Sequence, residues 1–283
     1  MKSFKYLSVC FFTYSLFIAD TYAMRALNTA ATGMAAQETN VNTISQNIAN
    51  ANTIGYKRSR TEFQDLLYET VQEAGARSSH NSQYNVGVQL GSGARVSGIR
   101  REFSQGSPQV TDRPFDLLID GQGFFGIVLP NGEIRFTRDG SFSVDSTGTL
   151  VTNHGYNVFP TINFPPNTMS VNITEDGTVE AFIRNEIEPM IVGQIPIFTF
   201  INPVGLSAQG GNLFSATRSS GEAIQHTPGQ SNSGVIMQGA LESSNVNIMA
   251  EMTELIRAQR AYETNSRVMG VADQMMQSVN NIR

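Results

Sequence analysis

A chain of 283 residues can bury one or two cores without the staples that small proteins need. Its single cysteine, Cys10, excludes an internal disulfide, a cysteine-rich metal site and a CxxC redox centre, and His80, His154 and His226 are scattered. A formal charge of −5 gives no global attraction for nucleic acid or anionic lipid, while a charged fraction of only 15% implies a neutral, polar surface suited to packing between subunits.

Residues 1–23 read as a leader. Lys2 and Lys5 precede an apolar stretch from Tyr6 to Ile18, and Thr21-Tyr22-Ala23 ends in the small residues of a secretory cleavage site. Thr13, Tyr14 and Ser15 interrupt the stretch, which falls short of the about 20 apolar residues of a membrane span. A start codon set too early, with Met24 as the true first residue, is the other reading. Both place the mature end at or near Met24.

Residues 24–58 predict a helix. Leu27, Met34, Val41 and Ile48 recur at sevens with Ala30, Gln37, Ile44 and Ala51 between them, the spacing of a heptad seam. Asn50, Asn52 and Gly55 supply the stop, near Thr53. Residues 59–114 and 209–240 are rich in Gly, Ser, Asn and Gln, and are expected as extended connectors. Residues 115–208 have period-two patterning broken by Pro130-Asn131-Gly132, Arg138-Asp139-Gly140, Asp145 to Gly148, Asn153-His154-Gly155 and Glu175-Asp176-Gly177. That predicts a mainly antiparallel β domain, barrel or sandwich-like, with strands around Phe124–Leu129, Ser141–Val144, Ser170–Ile173 and Met190–Phe200.

Residues 241–283 predict the second helix. Ile248, Leu255, Tyr262, Met269 and Met276 fall at sevens, supported by Met252, Ile256, Ala272 and Val279, behind N-cap candidates from Ser243 to Asn247. The fold class is therefore α+β: long terminal helices pairing as a coiled coil around a β domain. Both seams are gapped by Gln37, Gln259, Ser266 and Asp273, and Gly33 and Gly270 each cost about 1 kcal/mol relative to Ala. The ends are expected to gain their order from each other and from neighbouring subunits.

Gly121-Gln122-Gly123-Phe124-Phe125-Gly126 satisfies the dinucleotide fingerprint G-x-G-x-x-G. That chemistry needs a helix N-terminus after the glycines, yet the chain continues Ile127-Val128-Leu129 into a Pro-Asn-Gly turn, so the stretch reads as a turn between strands. Asp112, Asp116, Asp120 and Asp139 lie beside turns, where carboxylates are usually solvated. No catalytic, cofactor-binding or metal site is expected.

The most specific stretch is Asn47-Ile48-Ala49-Asn50-Ala51-Asn52-Thr53-Ile54-Gly55-Tyr56-Lys57-Arg58. It resembles the signature N-x-A-N-x-x-T-x-G-[FY]-K-R that ends the first helix in the flagellar rod and hook family, matching at Asn47, Ala49, Asn50, Thr53, Gly55, Tyr56, Lys57 and Arg58. Val86 to Gly93, Gly121 to Phe125, Phe136 to Phe142 and Gly239 to Ala261 are similar to the family as well, and Gly75 to Ser79 resembles the distal rod members. The leader departs from the pattern, since such proteins leave by type III export without a cleaved signal.

The resemblance implies a non-enzymatic subunit of the basal body that spans the periplasm. Its copies would form the tubular distal rod that carries torque from motor to hook. Implied partners are further copies of the chain, other rod proteins, the hook protein and surrounding rings, with no cofactor, nucleic acid or small-molecule substrate. A secreted β-domain adhesin or another filament subunit is the alternative, and a nucleotide-binding oxidoreductase rests on Gly121 to Gly126 alone. The expected assembly interface is Leu27, Met34, Val41, Ile44, Ile48, Ile248, Met252, Leu255, Tyr262, Met269 and Met276. Cuts near Gly55 and Gly239 are expected to release a soluble, strand-rich monomer. Leu255→Asp or Ile44→Asp is expected to place an unpaired charge in a seam and abolish filaments seen by negative-stain microscopy, while the strand signal in circular dichroism persists.

Overall fold

The computed structural model describes the backbone of residues 2–75, 77–79, 82–184, 188–230 and 233–281, and the side chains of 24–75, 84–184, 188–230 and 233–278. The leader's side chains, most of the Gly75 to Ser79 resemblance and Val279 lie outside the described side chains. Helix α1 is Lys2–Ala49 and helix α2 is Ile248–Asn281. The chain divides into two units, residues 1–46, 59–100 and 249–283, and residues 47–58 and 101–248.

In the first unit, strand Ser59–Asp65 pairs with Ala94–Arg101, and Tyr68–Gln72 pairs antiparallel with Val88–Gly91. Residues 59–101, expected as a connector, are thus largely folded into strands: pairing satisfies the backbone amides and carbonyls even where apolar repeats are few. An ion pair from Arg25 to Glu69 ties α1 to this strand layer.

The second unit centres on an open seven-stranded sheet among the described residues. Its order is Phe142–Val144, Leu150–Thr152, Asn157–Val158, Phe125–Val128, Ile134–Thr137, Leu213–Ser215 and Ser207–Gly210, with every pairing antiparallel. A three-stranded antiparallel sheet of Thr168–Ile173, Thr178–Ile183 and Met190–Gln194 adjoins it in the chain. The barrel alternative is corrected, because the first and last strands of the larger sheet do not pair and its strands are only two to four residues long. The run expected from Met190 to Phe200 is two strands, Met190–Gln194 and Ile197–Thr199, since Pro196 lacks the amide a continuous ladder would use. The return connector 209–240 also supplies paired strands, with Val235–Gln238 against Leu117–Asp120 and Ala240–Glu242 against Pro108–Val110.

The main core gathers Leu117, Phe125, Ile127, Phe142, Leu150 and Ile197, all at most 1% exposed. A second cluster is aromatic: Phe124, Phe136, Phe198 and Phe214 meet edge to face or tilted, with Phe136 and Phe200 centroids 4.9 Å apart. Between Leu117–Asp120 and Phe125–Val128 lies the glycine-rich stretch, and the segment after it is strand, as its sequence context required. Gly123, at φ +140°, lies so close to the Ile197 side chain that a Cβ would collide with it. Close packing explains that glycine without any phosphate.

Residues 47–58 and Ala240–Glu242 belong to the β unit, so cuts at Gly55 and Gly239 would remove a strand and part of its core rather than trim a junction. A fragment of residues 47–248 is expected to melt cooperatively. The fragment 55–239 is expected to melt at least 10 °C lower or without a cooperative transition, on the scale of several kcal/mol lost from one domain, as followed by circular dichroism.

Candidate functional site

The signature residues form a folded node. Helix α1 ends at Ala49, four residues before the expected stop, and the chain tightens into turns in which the amides of Ala51 and Thr53 reach the carbonyls of Ile48 and Asn50. Thr53 Oγ1 donates to Asn50 Oδ1 at 3.2 Å, and Tyr56 Oη donates to the buried Asn47 Oδ1 at 3.2 Å. Gly55 sits at φ +67°, and its amide donates to the Glu242 carbonyl at 2.8 Å; a Cβ there would stand 2.7 Å from the Asp139 amide nitrogen. Both left-handed geometry and contact demand glycine.

Lys57 then enters the protein interior. Lys57 and Glu242 side chains are each 1% exposed, and Lys57 Nζ donates to Glu242 Oε1 at 2.6 Å and to the Ser104 carbonyl at 2.8 Å. Glu242 Oε1 also accepts the Gly106 amide at 2.8 Å, while Glu242 Oε2 accepts from Arg138 Nη1 at 3.3 Å. Arg138 extends the network to the carbonyls of Ile119 and Gly121 at 3.2 and 2.6 Å, with its guanidinium 5.5 Å from the Phe124 ring centroid. One carboxylate thus faces two cations. Burial lowers the pKa of Lys57; the charge of Glu242 pulls it back up, and that of Arg138 pushes it down again. Burial likewise lowers that of Arg138, against the opposing pull of Glu242.

Arg58 closes the node on the other side. Its amide donates to Asn245 Oδ1 at 2.7 Å and its guanidinium to Glu102 at 3.2 Å, while Asn245 Nδ2 reaches the Glu102 and Ser104 carbonyls at 2.9 and 3.1 Å. Asn245, expected among the N-cap candidates, is instead a clamp between the chain leaving α1 and the chain entering α2. Ala49 is exposed on the last turn of α1. Glu242, Ser104 and Gly106 escaped sequence reasoning, because nothing local marks them. The available signal was that Lys57 is the sole lysine after Met24.

The helices bury only part of the expected seams, Ala30 and Ile44 on α1 and the supporting Ala272 on α2. On α2 the covered residues are Glu251, Ala258 and Ala272, with Asn265 between them at the same seven-residue spacing. On α1 they are Ala30, Ala36, Thr43, Ile44 and Asn47. Gly33 meets Asn265 across the first unit, where an added Cβ would lie 2.9 Å from Asn265 Nδ2. Small and polar residues, with the single large apolar Ile44, thus make up the buried positions. Of the expected interface, Ile44 is buried; Leu27, Met34, Val41, Ile48, Leu255, Met269 and Met276 are half-buried; Ile248, Met252 and Tyr262 are 43, 49 and 42% exposed.

Helix α2 carries a row of exposed apolar residues, among them Met249, Met252, Ile256 and Val271, the kind of surface that a subunit of a larger structure offers to its neighbours. The comparisons with known proteins agree. Residues 27–57 match the flagella basal body rod protein family, residues 118–181 the flagellar hook protein FlgE/F/G D1 domain, and residues 237–282 the flagellar basal body rod FlgEFG protein C-terminal region. The flagellar basal-body rod protein FlgG of Caulobacter vibrioides is 47% identical over 92% of this chain and 100% of its own length. FlgG of Borreliella burgdorferi is 47% identical over 92% of this chain and 99% of its own. The crystal structure of Helicobacter pylori flagellar hook protein FlgE2 covers 66% of this chain and 43% of that one at 16% identity and a TM-score of 0.23, too low to carry a structural argument. The chain belongs to the flagellar basal-body rod protein family and is similar to FlgG across most of its length. It is a structural subunit of the basal body, not an enzyme.

Glu242→Leu is expected to leave Lys57 and Arg138 buried without a countercharge and to cost about 3–5 kcal/mol, read by urea denaturation of the monomer. Lys57→Met, which preserves the Arg138–Glu242 pair, is expected to cost clearly less.

Proposed function

We propose that this subunit polymerises into the tubular distal rod through the large apolar residues of its two terminal helices. One observation carries the reading. Within a single chain, small and polar side chains cover the inward helix faces, while Ile248, Met249, Met252, Ile256, Tyr262, Val268 and Val271 remain 42–74% exposed. Burying such a residue from a half-exposed state contributes about 1 kcal/mol, so a stripe of them is a substantial driving force once copies meet. A contact whose rotation does not close generates an open helical filament from one kind of subunit. Coiled-coil pairing of α1 and α2 with those of neighbours supplies the knobs for that packing.

The Lys57–Glu242–Arg138 node holds the end of the signature to strand Ala240–Glu242 inside the β unit, which keeps that unit rigid under load. Such a shaft transmits torque from motor to hook across the periplasm after export from the cytoplasm. Other rod proteins and the hook protein would meet its ends, and the ring proteins would surround it. No cofactor or fuel enters at the subunit. Similarity to FlgG over nine-tenths of the chain supports this reading over the adhesin alternative.

Met252→Asp and Tyr262→Asp change exposed positions and are expected to leave the melting temperature of the monomer within about 2 °C of the starting protein, as surface substitutions do. Both are expected to abolish sedimentable filaments. Ile44→Asp differs, since Ile44 is already buried in the single chain and its loss would perturb the subunit itself. Filaments of normal length from both surface variants would overturn the reading.

A further inference from the structure

Beside the signature lies a polar cleft of about 300 Å³, walled by Asn50 and Thr53, by Asp139 and Ser141, by His154 and by Asn212. Its walls are tied together. Asn212 Nδ2 donates to the Ile54 carbonyl at 3.0 Å, Thr137 Oγ1 donates to the Asn212 carbonyl at 2.8 Å, and the Asp139 amide donates to Thr137 Oγ1 at 3.0 Å. Asp139 Oδ1 is fully engaged, accepting the Ser141 amide at 3.0 Å and Ser141 Oγ at 2.6 Å, with Asn153 Nδ2 donating to that hydroxyl at 3.0 Å. Asp139 Oδ2 has no partner among the described residues. The cleft therefore holds a carboxylate fixed in one orientation, with an open acceptor and no cation.

The geometry points to a guanidinium from a second copy of this chain as the occupant of the cleft. A cation must come as arginine, because Lys57 is the sole lysine after Met24 and is buried. On α2, Arg257 already pairs with Glu254 at 2.8 Å, whereas Arg260 and Arg267 are exposed and have no ion pair among the described residues. Both lie on the helical stripe that continues Met249, Met252 and Ile256, at spacings of three, four and seven. The α2 face that carries the uncovered apolar residues thus also carries two arginines with no ion pair among the described residues. Seating one of them on Asp139 would add a charge-assisted, directional contact to an otherwise non-directional apolar one, fixing the register between copies. This rests on the assembly reading above.

The test follows polymerisation of the full chain by light scattering against protein and salt concentration. Asp139→Asn keeps an acceptor for Ser141 and removes the charge; Asp139→Arg reverses it. Each is expected to raise the concentration needed for polymerisation, by about tenfold for the reversal, with the largest effect at low salt. Combining Asp139→Arg with Arg260→Asp or with Arg267→Asp is expected to restore assembly in one combination, which identifies the arginine. Unchanged polymerisation of Asp139→Asn and Asp139→Arg, or rescue by neither combination when the melting of Asp139→Asn is normal, would overturn the pairing. Failure of the unsubstituted chain to polymerise would instead overturn the assembly reading, and the pairing with it.

Discussion

The structure turns on a single buried carboxylate. Glu242 is held by Lys57 from the end of the signature, by Arg138 just after strand Ile134–Thr137 of the large sheet and by the amide of Gly106. Its three partners lie 104, 136 and 185 residues from Glu242 in the chain, so the network forms only when the fold closes. Removing three ions from water costs several kcal/mol each, which close geometry and added hydrogen bonds must offset. The gain is specificity: a displaced strand Ala240–Glu242 would strand two cations in the interior, so alternative registers of that strand are strongly disfavoured. The chain leaving α1 and the chain entering α2 are thereby fixed to one rigid body.

That constraint shapes what the helices can do. Their inward faces carry Ala30, Gly33, Ala36, Ala258 and Ala272, residues that permit close backbone approach but bury little apolar area. Ile44 is the large apolar residue buried beside them, and Met249, Met252 and Ile256 of α2 are left exposed. Tyr262 also stays exposed in the single chain, while Leu255 is half-buried. The stability of the single subunit accordingly resides in the β unit, with its aliphatic core and its aromatic cluster.

The sequence was legible where local chemistry is sufficient. Heptad spacing marked both terminal helices, turn dipeptides marked the antiparallel sheets, and the strand context of Gly121 to Gly126 ruled out a phosphate-binding turn. Legibility failed where pairing is long-range. Residues 59–101 and 209–240 carry few apolar repeats, yet they form strands because partners distant in sequence satisfy their backbones. The heptad reading of α2 marked an apolar stripe for assembly but did not show which stripe the single chain covers. Glu251, Ala258, Asn265 and Ala272 share the same spacing, and periodicity alone does not say which stripe meets which partner.

What the amino-acid sequence by itself determined is the pair of terminal helices, the exclusion of an internal disulfide and the signature that ties the chain to its family, all consequences of residue type and spacing. Only the tertiary structure decided what the signature does. Lys57 and Arg58 read in isolation as a solvated basic pair at a helix end, the ordinary state of such residues. Their roles became visible when Glu242, Glu102 and Asn245 were brought beside them by strand pairing. Electrostatic partnership depends on distance in space, and a linear sequence records only distance along the chain.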